Sequence, residues 1–158
     1  GGVSTPLGDL GPRESGSTSV TAPATGDSNS PAVASGTNDG NGNPVQSPPD
    51  AAVVDVVHPA LVIEKTVSTD GSCPGAELVS SLANQMVTFC YTVTNTGDTA
   101  VSGVVVDDEG RTLPLPNLGA GQSASSAVTR IVAGDDASAA VASGTTVATG
   151  SAVSRAIA

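Results

Sequence analysis

The hexapeptide AVASGT stands at Ala32–Thr37 and again at Ala140–Thr145, 108 positions later (140 − 32). Sliding the chain by that offset aligns Pro6–Val45 with Pro114–Val153 without a gap, and 19 of the 40 aligned pairs are identical. Bias toward Ser, Gly and Ala inflates such a score. It does not, however, bring Leu10 onto Leu118, Val20 onto Val128 and Gly26-Asp27 onto Gly134-Asp135. A duplication of this length marks a repeat architecture, in which neighbouring units bury what one unit alone leaves exposed. Residues 1–50, which read as a flexible linker on their Pro, Gly, Ser, Thr and Asn content alone, are therefore expected to belong to a folded repeat. Residues 1–58 are assigned to the C-terminal half of one repeat and residues 59–158 to a more complete one. The strand-like stretches SPAVASGT and AAVVDVV, carried by Ala32, Val33, Ala34, Val53, Val54, Val56 and Val57, then lack the half that should pair with them. They are expected to be assembly strands seeking an outside partner.

The second unit carries the period-two pattern of half-buried strands. In MVTFCYTVT, Val87, Phe89, Tyr91 and Val93 share one face, and Thr88, Cys90, Thr92 and Thr94 share the other. In ALVIEKTV, Leu61, Ile63 and Val67 share a face with Lys65 in the same phase. NTGD (Asn95–Asp98) reads as a turn, with Asn95 bonding its own backbone and Gly97 free to take a positive φ. VSGVVVDD, RTLPLPNLGAGQ, SASSAVTRIVAGDD, ASAAVASGTTVA and SAVSRAIA follow as short extended segments, and only AELVSSLANQM hints at a helix. Short strands punctuated by turns at this spacing predict an all-β, antiparallel β-sandwich.

Lys plus Arg number 5 against 15 Asp plus Glu, for a net charge of −10, which disfavours nucleic acid and anionic lipid as partners. No run of eighteen apolar residues occurs, so no membrane-spanning helix is expected. The opening GGVSTPLGDL has neither a basic nor an apolar signal region, and a secreted form would be numbered after processing. With no Trp, one Tyr and one Phe, the core must be built from Val, Leu, Ile and Ala. The two cysteines, Cys73 and Cys90, match no zinc or redox spacing. They are read either as a disulfide, worth about 3 kcal/mol by loop closure, or as two free thiols.

HPALVIEKTV, VTFCYTVTNTGDTAVSGVVVDD, LPLPNLGAGQS and AGDDASAAVASGT, in that order, resemble the immunoglobulin-like tandem repeat known as domain of unknown function 11, found in large secreted and cell-surface proteins. SCPG ahead of CYTVTNTGDT resembles its cysteine-bearing variant. The likeness covers Pro59–Gly150, and NPVQSPPDAAVVDVVHPALVIEKTV resembles a junction between successive repeats. It implies an immunoglobulin-like sandwich and an extracellular or surface location, and it brings no shared catalytic or ligand residue. One departure is Ala in ASAAVASG, where relatives carry Asn or Thr.

The candidate sites are few. Lys65, the only lysine, is expected to lie along the sheet with its amine in water. An isopeptide bond would need an Asn or Asp on a late strand, and SAAVASGTTVATG and SAVSRAIA contain none. Asp107, Asp108, Asp135 and Asp136 are weak calcium candidates without a calcium-loop spacing. His58 lies beside Pro59 with no nucleophile assigned to it, so it is read as a linker residue and no catalytic residue or cofactor is expected. TAPAT and QSPPD are candidate O-glycosylation stretches. These features point to a non-enzymatic structural piece of an extracellular filament that associates with itself or with neighbouring repeats. The alternative is an adhesion module for glycan or protein, assisted by calcium.

Overall fold

The computed structural model describes residues 3–147 and 152–157. The chain forms two compact units, Gly1–Val56 and Val57–Ala158. It is all-β: no helix occurs among the described residues, and every strand pairing is antiparallel. Gly150, where the resemblance to the repeat family ends, lies outside the described residues.

In the first unit, β1 (Ser28–Ala32) pairs with β4 (Asp50–Val54), and β2 (Ser35–Thr37) pairs with β3 (Pro44–Gln46). The expected continuous strand through AVASGT is therefore broken. Val33 and Ala34 join two short strands, and the Ala34 N–H donates to Ser47 Oγ at 3.0 Å. β1 and β2 thus each find one backbone partner within the unit, and both two-stranded pairs keep open edges. The side chains are not covered, and no residue from Val3 to Val54 is buried.

The second unit holds two sheets. One orders β5 (Leu61–Ser68), β6 (Gln85–Asn95) and β9 (Ser123–Val132) as β5-β6-β9. The other orders β7 (Val101–Asp108), β8 (Arg111–Pro114), β10 (Ala140–Thr146) and β11 (Ala152–Ile157) as β11-β10-β7-β8. Alternation along each strand sends one set of side chains into a shared core. Leu61, Ile63, Val87, Phe89, Tyr91 and Val93 enter it from the first sheet, and Val101, Val104, Val106, Ala140, Ala142 and Val153 from the second. In β7 the inward phase slips between Val101 and Val104, opposite a register shift at Ser143/Thr145. Gly103, with φ at 59°, takes up the extra residue as a β-bulge. On the far face of β6, hydroxyls pair across to β9: Thr88 with Thr129 at 2.8 Å, Thr92 with Ser125 at 3.1 Å and Thr94 with Ser123 at 2.8 Å.

The helix hinted at in AELVSSLANQM does not form. Ala76 bridges back to Val67, while Leu78 and Leu82 stay exposed, so no packed stripe supports a helical nucleus. The NTGD turn is present, with Gly97 N–H donating to Asn95 Oδ1 at 3.0 Å. Its glycine serves a different need from the one expected. Gly97 is not among the residues of positive φ, and a Cβ there would sit 2.5 Å from both His58 O and Ala60 N. Asn95, fully buried, fixes the same corner by donating from Nδ2 to Thr99 O and Leu118 O. Gly97→Ala is expected to lower the unfolding free energy by about 1–3 kcal/mol, since backbone must move to admit the methyl; urea titration followed by circular dichroism measures it.

Candidate functional site

Three inward-phase charges meet at one end of the second unit's core. Lys65 on β5 faces Asp108 on β7 across the gap between the sheets, with Nζ 3.0 Å from Oδ1 and 2.9 Å from Oδ2. Nζ also donates to Ser138 O at 3.1 Å and to Ser138 Oγ. The Tyr91 hydroxyl, from β6, donates to Asp108 Oδ2 at 2.5 Å. The lysine and aspartate side chains are 8% and 5% exposed, so the amine does not reach water as expected. The reason is geometric: at its position on the strand Lys65 points inward, and a carboxylate on the opposite sheet is close enough to neutralise it.

Arg130, in the inward phase of β9, completes the cluster. Its Nη1 lies 2.7 Å from Glu109 and its Nη2 2.7 Å from Asp136. Its guanidinium stands 4.5 Å from the Phe89 ring centroid, and the Lys65 amine stands 5.1 Å from the same centroid. Such cation–π contacts let the one phenylalanine line both apolar core and charge. A depression of about 320 Å³ opens beside these groups, lined by Tyr91, Asp108, Glu109, Arg111, Val128 and Arg130.

The electrostatics follow from the contacts. Burial pushes the Asp108 carboxyl up, but the hydrogen bonds from Tyr91 and Lys65 and the nearby positive charges outweigh it and hold the group below the usual carboxylate value. Burial, followed by the hydrogen bond to the Asp108 carboxylate, pushes the Tyr91 phenol well above its ordinary value. Tyr91 is therefore a donor and not a base at any ordinary pH. The cluster holds a charge pair in place and offers no activated nucleophile.

The four calcium candidates do not converge. Asp107 accepts from Thr112 Oγ1 at 2.6 Å, Asp108 is committed to Lys65 and Tyr91, Asp136 pairs with Arg130, and Asp135 is exposed. No group of three or more His, Cys, Asp or Glu side chains suited to a metal occurs among the described residues. Cys73 and Cys90 form a disulfide, with Cα atoms 5.8 Å apart. It pins the Asp70–Ala76 loop over the face of β6 turned away from the core, which is why Cys90 and Thr88 are buried there. His58 is tied by its N–H to Asp98 Oδ1 at 2.6 Å and by Nδ1 to Oδ2 at 3.0 Å. That backbone bond comes first among the contacts holding Asp98 below the usual carboxylate value.

The assembly residues are placed as follows. Ala32 ends β1 opposite Asp50, and Val53 and Val54 of β4 oppose Asn29 and Ser28. Val56 and Val57 lie beyond β4, outside any strand, with the Val56 N–H donating to Asp27 Oδ1 at 2.8 Å. Sequence reasoning placed Lys65 in the inward phase yet missed Asp108, Tyr91 and Arg130 as its company. The signal was available, since each of these three also shares a phase with apolar neighbours.

A comparison with known protein families, curated proteins and solved structures finds no significant match for this chain.

Removing one partner of a buried ion pair strands the other charge, at a cost of about 3–5 kcal/mol. Lys65→Met is expected to destabilise by that order, and Lys65→Met combined with Asp108→Leu by much less; urea midpoints of the two variants decide it. Because Asp108 is depressed in the fold, its contribution is complete above the unfolded carboxylate value near 4 and is lost as pH falls through the lower folded value. The wild-type urea midpoint should therefore drop more steeply below about pH 4 than that of Asp108→Asn.

Proposed function

We propose that this chain is a non-enzymatic structural segment of an extracellular surface filament, built from immunoglobulin-like β-sandwich repeats of the domain of unknown function 11 kind and assembled through strand complementation. The observation that carries the reading is the state of the first unit. Its strands are paired, yet Val20, Val33, Val45, Val53 and Val54 all remain exposed. One short hairpin continued by a second two-stranded pair, without a covered apolar face, is marginal in water. A folded arrangement of this kind is the shape of a part waiting for its counterpart.

Other features agree. The disulfide suits an oxidising compartment outside the cytosol. Beyond the loop that covers Thr88 and Cys90, the outer face of β6 and β9 carries the hydroxyl pairs Thr92–Ser125 and Thr94–Ser123 in place of charges, which suits close lateral neighbours in a fibre. The adhesion reading asks for exposed aromatics as a glycan platform, and Phe89 and Tyr91 are both buried.

Sedimentation velocity over a concentration series tests the proposal. Species of two or more chains, above the 15.1 kDa of one, are expected, with slowed amide exchange in residues 28–54 at high concentration. A single 15.1 kDa species at every concentration, with those amides exchanging as in an unfolded peptide, would overturn it.

A further inference from the structure

The repeat seen in the sequence is present in part of the backbone, in one hairpin and one turn. β2 pairs with β3 as Ser35↔Gln46, Gly36↔Val45 and Thr37↔Pro44. β10 pairs with β11 as Ser143↔Ser154, Gly144↔Val153 and Thr145↔Ala152, the same three pairs displaced by 108 (143 − 35). A turn repeats as well. Gly119 N–H donates to Gln122 Oε1 at 2.8 Å and Gln122 N–H to Gly119 O at 3.0 Å. Gly11 N–H donates to Glu14 Oε2 at 2.8 Å and Glu14 N–H to Gly11 O at 3.0 Å. Gly121 has φ at 73° and its counterpart Arg13 has φ at 67°, although arginine gains nothing from that conformation.

The two halves differ in what covers them. Leu118 is 2% exposed and exchanges two backbone hydrogen bonds with Val101, whereas Leu10 is 51% exposed. Ala140 and Ala142 are fully buried against β7 and the core, whereas Ala32 and Ala34 are exposed. Gly144 is a glycine by necessity, because a Cβ there would sit 2.5 Å from Val101 Cγ1. At Gly36 a Cβ would meet nothing within 4 Å. The first half thus keeps a residue suited to a strand pressed against it while no strand is there. Ser138, which receives the Lys65 amine, also has its identical counterpart in Ser30.

We propose that Pro6–Val45 is a second complement for the β5–β7 half of the fold, and that the partner it takes is the β5–β7 segment of another copy of this chain. This rests on the assembly reading above and specifies its contacts. The interface is the one already formed inside the second unit between β5–β7 and β8–β11, transferred in register. Val101 lies on Leu10 and Gly36, Val106 opposite Ala34, Asp108 opposite Ala32, and Phe89 opposite Val20. A second copy is favoured over the chain's own β5–β7 by reach. β4 is paired back onto β1, which leaves residues 55–60, about 20 Å of chain, before β5 begins.

The two complements compete for one acceptor, so disabling the C-terminal one in the full chain reveals the other. Leu118→Asp combined with Gly144→Val removes the buried leucine and blocks Val101. The proposal expects this variant to keep β6 amide protection within about tenfold of wild type and to form concentration-dependent species of two or more chains. Adding Leu10→Asp and Gly36→Val should then cut β6 protection at least 100-fold, although the same two changes leave β6 protection in the otherwise wild-type chain unaltered and only weaken its self-association. Loss of β6 protection in Leu118→Asp/Gly144→Val with Pro6–Val45 intact would overturn the proposal. So would protection that survives the two added changes, or rescue in a strictly monomeric species. If the wild-type chain proves monomeric, the filament reading fails, and this rescue remains separately measurable.

Discussion

An ion pair spans the two sheets of the second unit and fixes how they face one another across the apolar core. Lys65 comes from the three-stranded sheet and Asp108 from the four-stranded one, and Tyr91 adds a hydrogen bond from the first sheet to the same carboxylate. A chain with one Phe, one Tyr and no Trp has little large apolar volume with which to close a core. Val, Leu, Ile and Ala fill the middle, and the charged cluster closes one end. Burying two charges costs several kcal/mol per ion before their attraction is counted. That cost makes any sheet offset that separates the pair unfavourable, so the cluster selects one relative placement of the sheets where small aliphatic side chains alone would tolerate several.

What was legible in the sequence was phase. The alternation of Val87, Phe89, Tyr91 and Val93 against Thr88, Cys90, Thr92 and Thr94 placed β6 and its inward face, and the 108-residue offset located a duplicated hairpin inside a stretch that composition alone assigns to a linker. What lay opposite each face was not legible. Lys65 was read as a lysine reaching water because nothing in its own strand shows that Asp108 waits on a strand 43 residues away. Gly97 was read through its own torsions, when its requirement comes from the close passage of His58 and Ala60. The apolar spacing of Leu78 and Leu82 suggested a helix, and tertiary context supplied no surface to receive it.

The duplication also separates what a local sequence can do alone from what it does only in company. The Ser35–Gln46 hairpin and the Gly11–Glu14 turn adopt the geometry of their counterparts without the core that buries those counterparts. Local turn chemistry and the register of the β2–β3 hairpin are therefore encoded within the half itself, whereas Ala32 pairs with Asp50 one residue away from the position its counterpart Ala140 would give it. Burial of Leu10, Ala32 and Ala34 is not encoded there, because it depends on strands that the half does not contain.

The Cys73–Cys90 bond has a mechanical consequence. Pulled from Val57 against its C-terminal strands, the second unit is loaded at β5 against β6 along their eight-pair ladder. Once that ladder yields, the 17-residue interval between the two cysteines stays folded back on itself, its ends held 5.8 Å apart. A unit that yields then lengthens by roughly 55 Å less than its residue count allows, and part of β6 stays covalently gathered next to the loop it must rejoin on refolding.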